Sequence, residues 1–94
     1  MDTTREPRLG RLDLVGLRCP LPVLKSRRAL AALAPGDRLE VLTSDPLASI
    51  DLPHMCSEEG HLLVSMDGEG DRGRFVIERG PDRSAQENPE KPEI

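Results

Sequence analysis

Two cysteines, Cys19 and Cys56, are the residues of this 94-residue chain best suited to covalent chemistry. Cys19 stands in Gly16-Leu17-Arg18-Cys19-Pro20-Leu21-Pro22, where a strand-like run (Leu12 to Val15) gives way to a helix-like run (Val23 to Ala34). Proline suits the first helical position, because its fixed φ matches the turn and its missing N–H would be unpaired there anyway. Pro20 is therefore expected at that position and Cys19 at the N-cap, its sulfur near the positive end of the helix dipole. Such a place favours the thiolate, the form that attacks electrophilic sulfur. Pro22 removes a second backbone donor, which leaves the N–H groups of Leu21 and Val23 to face an anion. The two prolines also stiffen the junction and fix the direction of the sulfur. Arg18 adds a full positive charge. The expected site is a rigid, exposed, partly anionic sulfur.

The other candidates carry weaker signals. Cys56 falls in an amphipathic run with Leu52, Met55 and Glu59 and reads as a core or rim thiol. A resolving role toward Cys19 would need their Cα atoms within about 7 Å. Asp45 and Asp51 read as helix caps. Arg18, Lys25, Arg27 and Arg28 make a basic rim, either a solvated face or a docking patch for an acidic partner. His54 and His61 have no metal-ligand spacing with the cysteines, so neither a metal site nor a cofactor is expected.

The elements that must position Cys19 are few. The length suits one small domain. With 36% hydrophobic residues and Phe75 as the single aromatic, its core is aliphatic and thin. Little capacity is left for a deep pocket, so chemistry is expected at an exposed group. Half of the net charge of −4 lies in residues 81–94, where four carboxylates outnumber two cations. Without a basic excess or stacking aromatics, direct tight nucleic-acid binding is not expected. The N-terminal residues lack the apolar core of a signal peptide, and no run is long enough to span a membrane. A cytoplasmic protein with reduced cysteines is the expectation.

Residues 1–10 read as a flexible lead-in, 11–80 as the domain and 81–94 as a disordered tail. Leu12–Val15 is a first strand with Leu12 and Leu14 on one face. A helix is expected from about Pro20 to Ala34, with Val23, Leu30, Leu33 and Ala34 inward, joined by Leu24 and Ala31. Lys25, Arg28, Ala29 and Ala32 should be solvated. Pro35-Gly36-Asp37 stops it. Arg38–Thr43 is a second strand, and Ser44-Asp45-Pro46 opens a second helix with Leu47 and Ile50 toward the sheet. Pro53 is expected to kink that helix or divide it into pieces near 46–51 and 53–59, with Asp51 capping the second. His61–Met66 and Gly73–Glu78 form a hairpin across a turn at Asp67–Asp71. The order βαβαββ predicts an α/β protein of the α+β two-layer kind, with two helices packed on one face of a four-stranded mixed sheet. The pattern does not fix the strand order. With no exposed apolar stripe demanding a partner, a monomer is expected.

From Leu12-Asp13 through the Cys-Pro-x-Pro segment the chain resembles the TusA/SirA-like family of small sulfur carriers. The likeness continues through Pro35-Gly36-Asp37, Ser44-Asp45-Pro46 and Asp51-Leu52-Pro53-His54-Met55-Cys56 into the hairpin, covering roughly residues 11–80. The resemblance implies a two-layer α/β sandwich and a sulfurtransferase that carries sulfur as a persulfide on Cys19. Its implied partners are a cysteine desulfurase or rhodanese-type sulfur donor and a downstream sulfur-acceptor protein. It also implies a place near Cys19 for Asp45 and Asp51. In TusA itself the relay ends in 2-thiouridine formation in tRNA; relatives serve sulfur oxidation or molybdenum-cofactor supply. Leu21 departs from the pattern, since tRNA-thiolation members tend to have Glu between the prolines. Two other readings stay open: an adaptor binding through the basic rim of the first helix, and a Cys19/Cys56 thiol redox switch.

Overall fold

Four segments of alternating polarity and two amphipathic runs become β1 (Leu9–Leu14), α1 (Leu21–Ala31), β2 (Arg38–Thr43), α2 (Ala48–Glu59), β3 (Leu62–Glu69) and β4 (Arg72–Glu78). The computed structural model describes residues 8–69 and 72–81. The sheet order is β1-β2-β4-β3. β1 and β2 run parallel, which requires a crossover, and α1 supplies it. β4 pairs antiparallel with both β2 and β3, so it lies inside the sheet although it comes last. The mixed four-stranded sheet with two helices is the expected architecture.

The helices and the inner sheet face enclose Leu14, Leu30, Leu39, Val41, Leu52, Met55, Phe75 and Ile77, joined by Cys56. The other sheet face carries cross-strand ion pairs. Glu40 on β2 is held between Arg11 of β1 and Arg74 of β4, and Arg74 also reaches Asp67 of β3. Burying a carboxylate is costly unless it is paired, and the two guanidiniums supply the partners for nearly buried Glu40.

Several local expectations are corrected. β1 begins at Leu9, so Leu9 and Gly10, read as part of a flexible lead-in, pair with Arg38 and Leu39. Residues 1–7 of that lead-in and 82–94 of the tail lie outside the described residues. α1 is shorter at both ends than the expected helix and is rotated about its axis. It buries Pro22, Ser26 and Leu30, with Val23, Ala29 and Leu33 packed beside them, while Leu24 and Ala31 face out. Small residues let the helix approach the sheet closely, and a search for aliphatic periodicity passes over them. α2 is one continuous helix with Pro53 inside it. Pro53 leaves only the Ser49 carbonyl without its helical donor, and Ser49 is exposed to water. Leu47 and Ile50, expected against the sheet, are exposed; Ala48, Leu52 and Met55 set the inward face instead.

Gly60 closes α2 with a positive φ of 81°, and the His61 N–H returns to the Cys56 carbonyl at 2.9 Å. Burial pushes the Cys56 thiol up to about 11. The unfolded chain ionises nearer 8.5, so this thiol's contribution to stability is complete below that pH and fades as pH rises toward 11. The sequence has no tyrosine and two lysines, so few other groups titrate there. Thermal unfolding midpoints should fall across this window, and Cys56→Ala should flatten the slope.

Candidate functional site

The loop leaving β1 turns at Gly16, whose φ of 94° favours glycine. The Gly16 N–H donates to Ser44 Oγ at 2.8 Å, and the Leu17 N–H to the Leu14 carbonyl at 3.0 Å. Leu17 packs against the core. The next two residues, Arg18 and Cys19, are exposed. Their loop is fastened by Asp45, which is 9% exposed. Asp45 Oδ2 accepts the Cys19 N–H at 2.6 Å, and its Oδ1 accepts the Leu47 N–H at 3.1 Å. One carboxylate thus ties the loop before α1 to the turn before α2.

Cys19 Sγ faces the first turn of α2 and donates to Asp51 Oδ2 at 3.3 Å. Beside it, residues 16–19 and 44–47 line an open cleft of about 570 Å³. The cleft is shallow and the sulfur is exposed, so a group carried by another macromolecule can reach it.

The structure brings Cys19, Asp45 and Asp51 together and corrects the electrostatic expectation. Pro20 is the N-cap, so Cys19 lies one residue outside the helix and Pro22 occupies its second position. The Leu21 N–H, expected to face an anion, donates to the Arg18 carbonyl at 2.8 Å. Val23 packs its side chain against the core. The Asp51 hydrogen bond, then slight desolvation, then the negative charges of Asp51 and Asp45 hold the Cys19 thiol above its ordinary value. The hydrogen bond and the two carboxylates thus favour the thiol over the partly anionic sulfur expected from the dipole and Arg18. Asp45, expected as a helix cap, caps the turn before α2 instead: the N-cap of α2 is Leu47, with no side-chain cap hydrogen bond. Asp51 caps nothing of a second helical piece, because α2 is continuous.

Cys56 is 3% exposed and faces the core. It lies five residues beyond Asp51, about 7.5 Å along α2 and about 140° around it, so the helix does not bring it beside Cys19. Both cysteines are free thiols. Of the basic rim, Lys25 and Arg28 are exposed, while Arg27 pairs with Glu59 of α2 at 3.1 Å. His54 pairs with Glu58 at 3.3 Å, and His61 Nδ1 accepts the Gly80 N–H at 2.9 Å. The features missed in the sequence are exposed leucines and an isoleucine at the two helix starts: Leu21, Leu24, Leu47 and Ile50. The spacing of Ala48, Leu52 and Met55 (i, i+4, i+7) was the signal that Leu47 and Ile50 point outward.

The family model described as "Sulfurtransferase TusA" matches residues 10–79. Among solved structures, a SirA-like protein from Desulfitobacterium hafniense is similar at 25% sequence identity and a TM-score of 0.66. The match covers 77% of this chain and 97% of that one.

Replacing Asp45 by Ala removes the acceptor of two backbone N–H groups. The expected loss of stability is about 1–2 kcal/mol in urea unfolding. Amide exchange at Cys19 and Leu47 should quicken more than elsewhere in the domain.

Proposed function

The chain belongs to the TusA sulfurtransferase family, and from that premise we propose that it carries sulfur as a persulfide on Cys19. The observation that carries this reading is an exposed thiol on a loop pinned through its own backbone N–H by a buried carboxylate. Such a sulfur is held in a fixed place yet can be reached from outside.

In the proposed cycle the donor is a cysteine desulfurase or a rhodanese-type protein bearing a persulfide. Cys19 Sγ, once its proton has left, attacks the donor's outer sulfur. A new S–S bond forms as the donor's S–S bond breaks, and that electron pair stays on the donor's cysteine sulfur. The released proton restores the donor thiol. Delivery repeats the exchange: an acceptor thiolate attacks the outer sulfur, and the Cys19 sulfur leaves with the electron pair and is reprotonated. No net oxidation occurs, because one sulfane sulfur moves between thiols. The small domain brings its exposed thiol to partners, and no substrate pocket is required.

The exposed Lys25 and Arg28, with Arg18 beside the thiol, support docking to an acidic rim on donor or acceptor. Leu21, Leu47 and Ile50 supply apolar area close to the helix starts. Arg27 contributes through its tie to Glu59. Two free thiols suit a reducing compartment, and we place the protein in the cytoplasm. Transfer toward tRNA 2-thiouridine is one route for the sulfur, in which Leu21 would meet the acceptor where related carriers present Glu.

Incubation with a cysteine desulfurase and cysteine should add one sulfur atom to the intact chain, read by mass spectrometry. Cys19→Ser should take up none, and Cys56→Ser should load like the wild type. Equal loading of Cys19→Ser would overturn the assignment.

A further inference from the structure

The carboxylate against the sulfur has a consequence for when Cys19 can react. We propose that Asp51 is a positioning residue that holds the Cys19 proton: its hydrogen bond to Sγ keeps the unloaded carrier as a thiol and sets the pH at which Cys19 becomes a nucleophile. The role of this proton in sulfur transfer rests on the carrier reading above, but the hold itself does not.

Two carboxylates lie beside Cys19, and Arg18 lines the same cleft. Asp51 comes from the first turn of α2, and its Oδ2 lies 3.3 Å from Sγ. Asp45 comes from the turn after β2 and holds the Cys19 N–H at 2.6 Å, which limits how far the sulfur can move from Asp51. Arg18 precedes Cys19 on its own loop and lines the cleft. Two carboxylates thus act on the sulfur from α2 and the turn before it. A thiol donates to a carboxylate; a thiolate facing the same oxygen has no proton to share and is repelled. The proton is kept for a geometric reason, even though the sulfur is open to water.

This arrangement gives the exposed sulfur a chemical advantage. Oxidation and alkylation of cysteine follow thiolate character and exposure together. Cys19 must be exposed to meet its partners, so its reactivity at rest can be restrained only through its proton. Asp51 is placed to impose that restraint.

Alkylation of Cys19 by iodoacetamide, followed by peptide mapping of the full chain between about pH 6 and 10, tests the proposal. The wild-type rate should begin to rise only above the range of an ordinary free cysteine. Asp51→Asn keeps the side-chain shape and removes the charge. Its profile should move to lower pH, with alkylation at pH 7 roughly three- to tenfold faster. Asp51→Glu retains the charge and should retain the late onset. Glu58→Gln removes one negative charge from the far half of the same helix and should leave the profile unmoved. An Asp51→Asn profile that overlays the wild type, or a Glu58→Gln shift of equal size, refutes the proposal. Sulfur loading measured on the same samples separates the two readings. If Cys19 takes no sulfur but the Asp51→Asn shift appears, the carrier reading fails and the hold on the proton stands. If Cys19 loads and the profiles coincide, Asp51 alone is ruled out.

Discussion

The site depends on one nearly buried carboxylate accepting hydrogen bonds from two loops. Asp45 takes the Cys19 N–H and the Leu47 N–H on its two oxygens. Without that acceptor, the loop carrying the thiol and the turn that starts α2 would each present an unpaired donor where water has limited access. Asp37, at the other end of β2, does the same. Its Oδ1 accepts the Arg8 N–H and its Oδ2 the Ala34 N–H, both at 3.1 Å. β2 thus runs between two aspartates, each fastening a pair of loops. In a chain with so thin an aliphatic core, these contacts do for the loops what a larger core does by packing.

The hydrophobic contribution is concentrated elsewhere, between the sheet and the helices. Leu30, Leu52, Met55, Phe75 and Ile77 are almost completely removed from water. Among the described residues no helix lies over the outer sheet face, which carries the Arg11–Glu40–Arg74–Asp67 series and the Arg38–Glu78 pair. This division separates stability from chemistry. Core and ion pairs secure the sheet, while the site occupies the loops at one end, where few core contacts would be disturbed by a visiting protein.

The sequence shows the elements clearly and their mutual orientation poorly. Alternating runs and the turn residues at Pro35-Gly36-Asp37 are local signals and the strands appear near them, but Asp67 and Gly68, expected in the hairpin turn, pair with Arg74 and Gly73 within β3. The exposure of Cys19 could also be read locally, from its place between Arg18 and Pro20 at an element boundary. The phase of α1 could not be read from aliphatic residues alone, because Pro22 and Ser26 share its buried face with Leu30. Nor could the charge state of the sulfur. The dipole of α1 and the charge of Arg18 are neighbours in the chain, whereas Asp45 and Asp51 arrive from 26 and 32 residues away. Asp45 comes on the turn before α2 and Asp51 on its first turn, both ahead of Pro53.

The placement of the leucines bears on how this balance of charge responds to contact. Leu21 and Leu24 at the start of α1, and Leu47 and Ile50 at the start of α2, stand exposed, and Leu47 lines the cleft with Cys19, whose sulfur is hydrogen-bonded to a carboxylate. Covering such residues removes water, and removing water strengthens every nearby charge interaction. A partner that only covered them would tighten the grip of Asp51 on the proton. A partner that also brought a cation to Asp51 or Asp45 would loosen it, because the carboxylate would then be neutralised in the medium where its charge acts most strongly. Apolar contact and charge compensation therefore act in opposite directions on the same sulfur. On the proposed carrier reading, charge compensation rather than adhesion alone would free the sulfur to react.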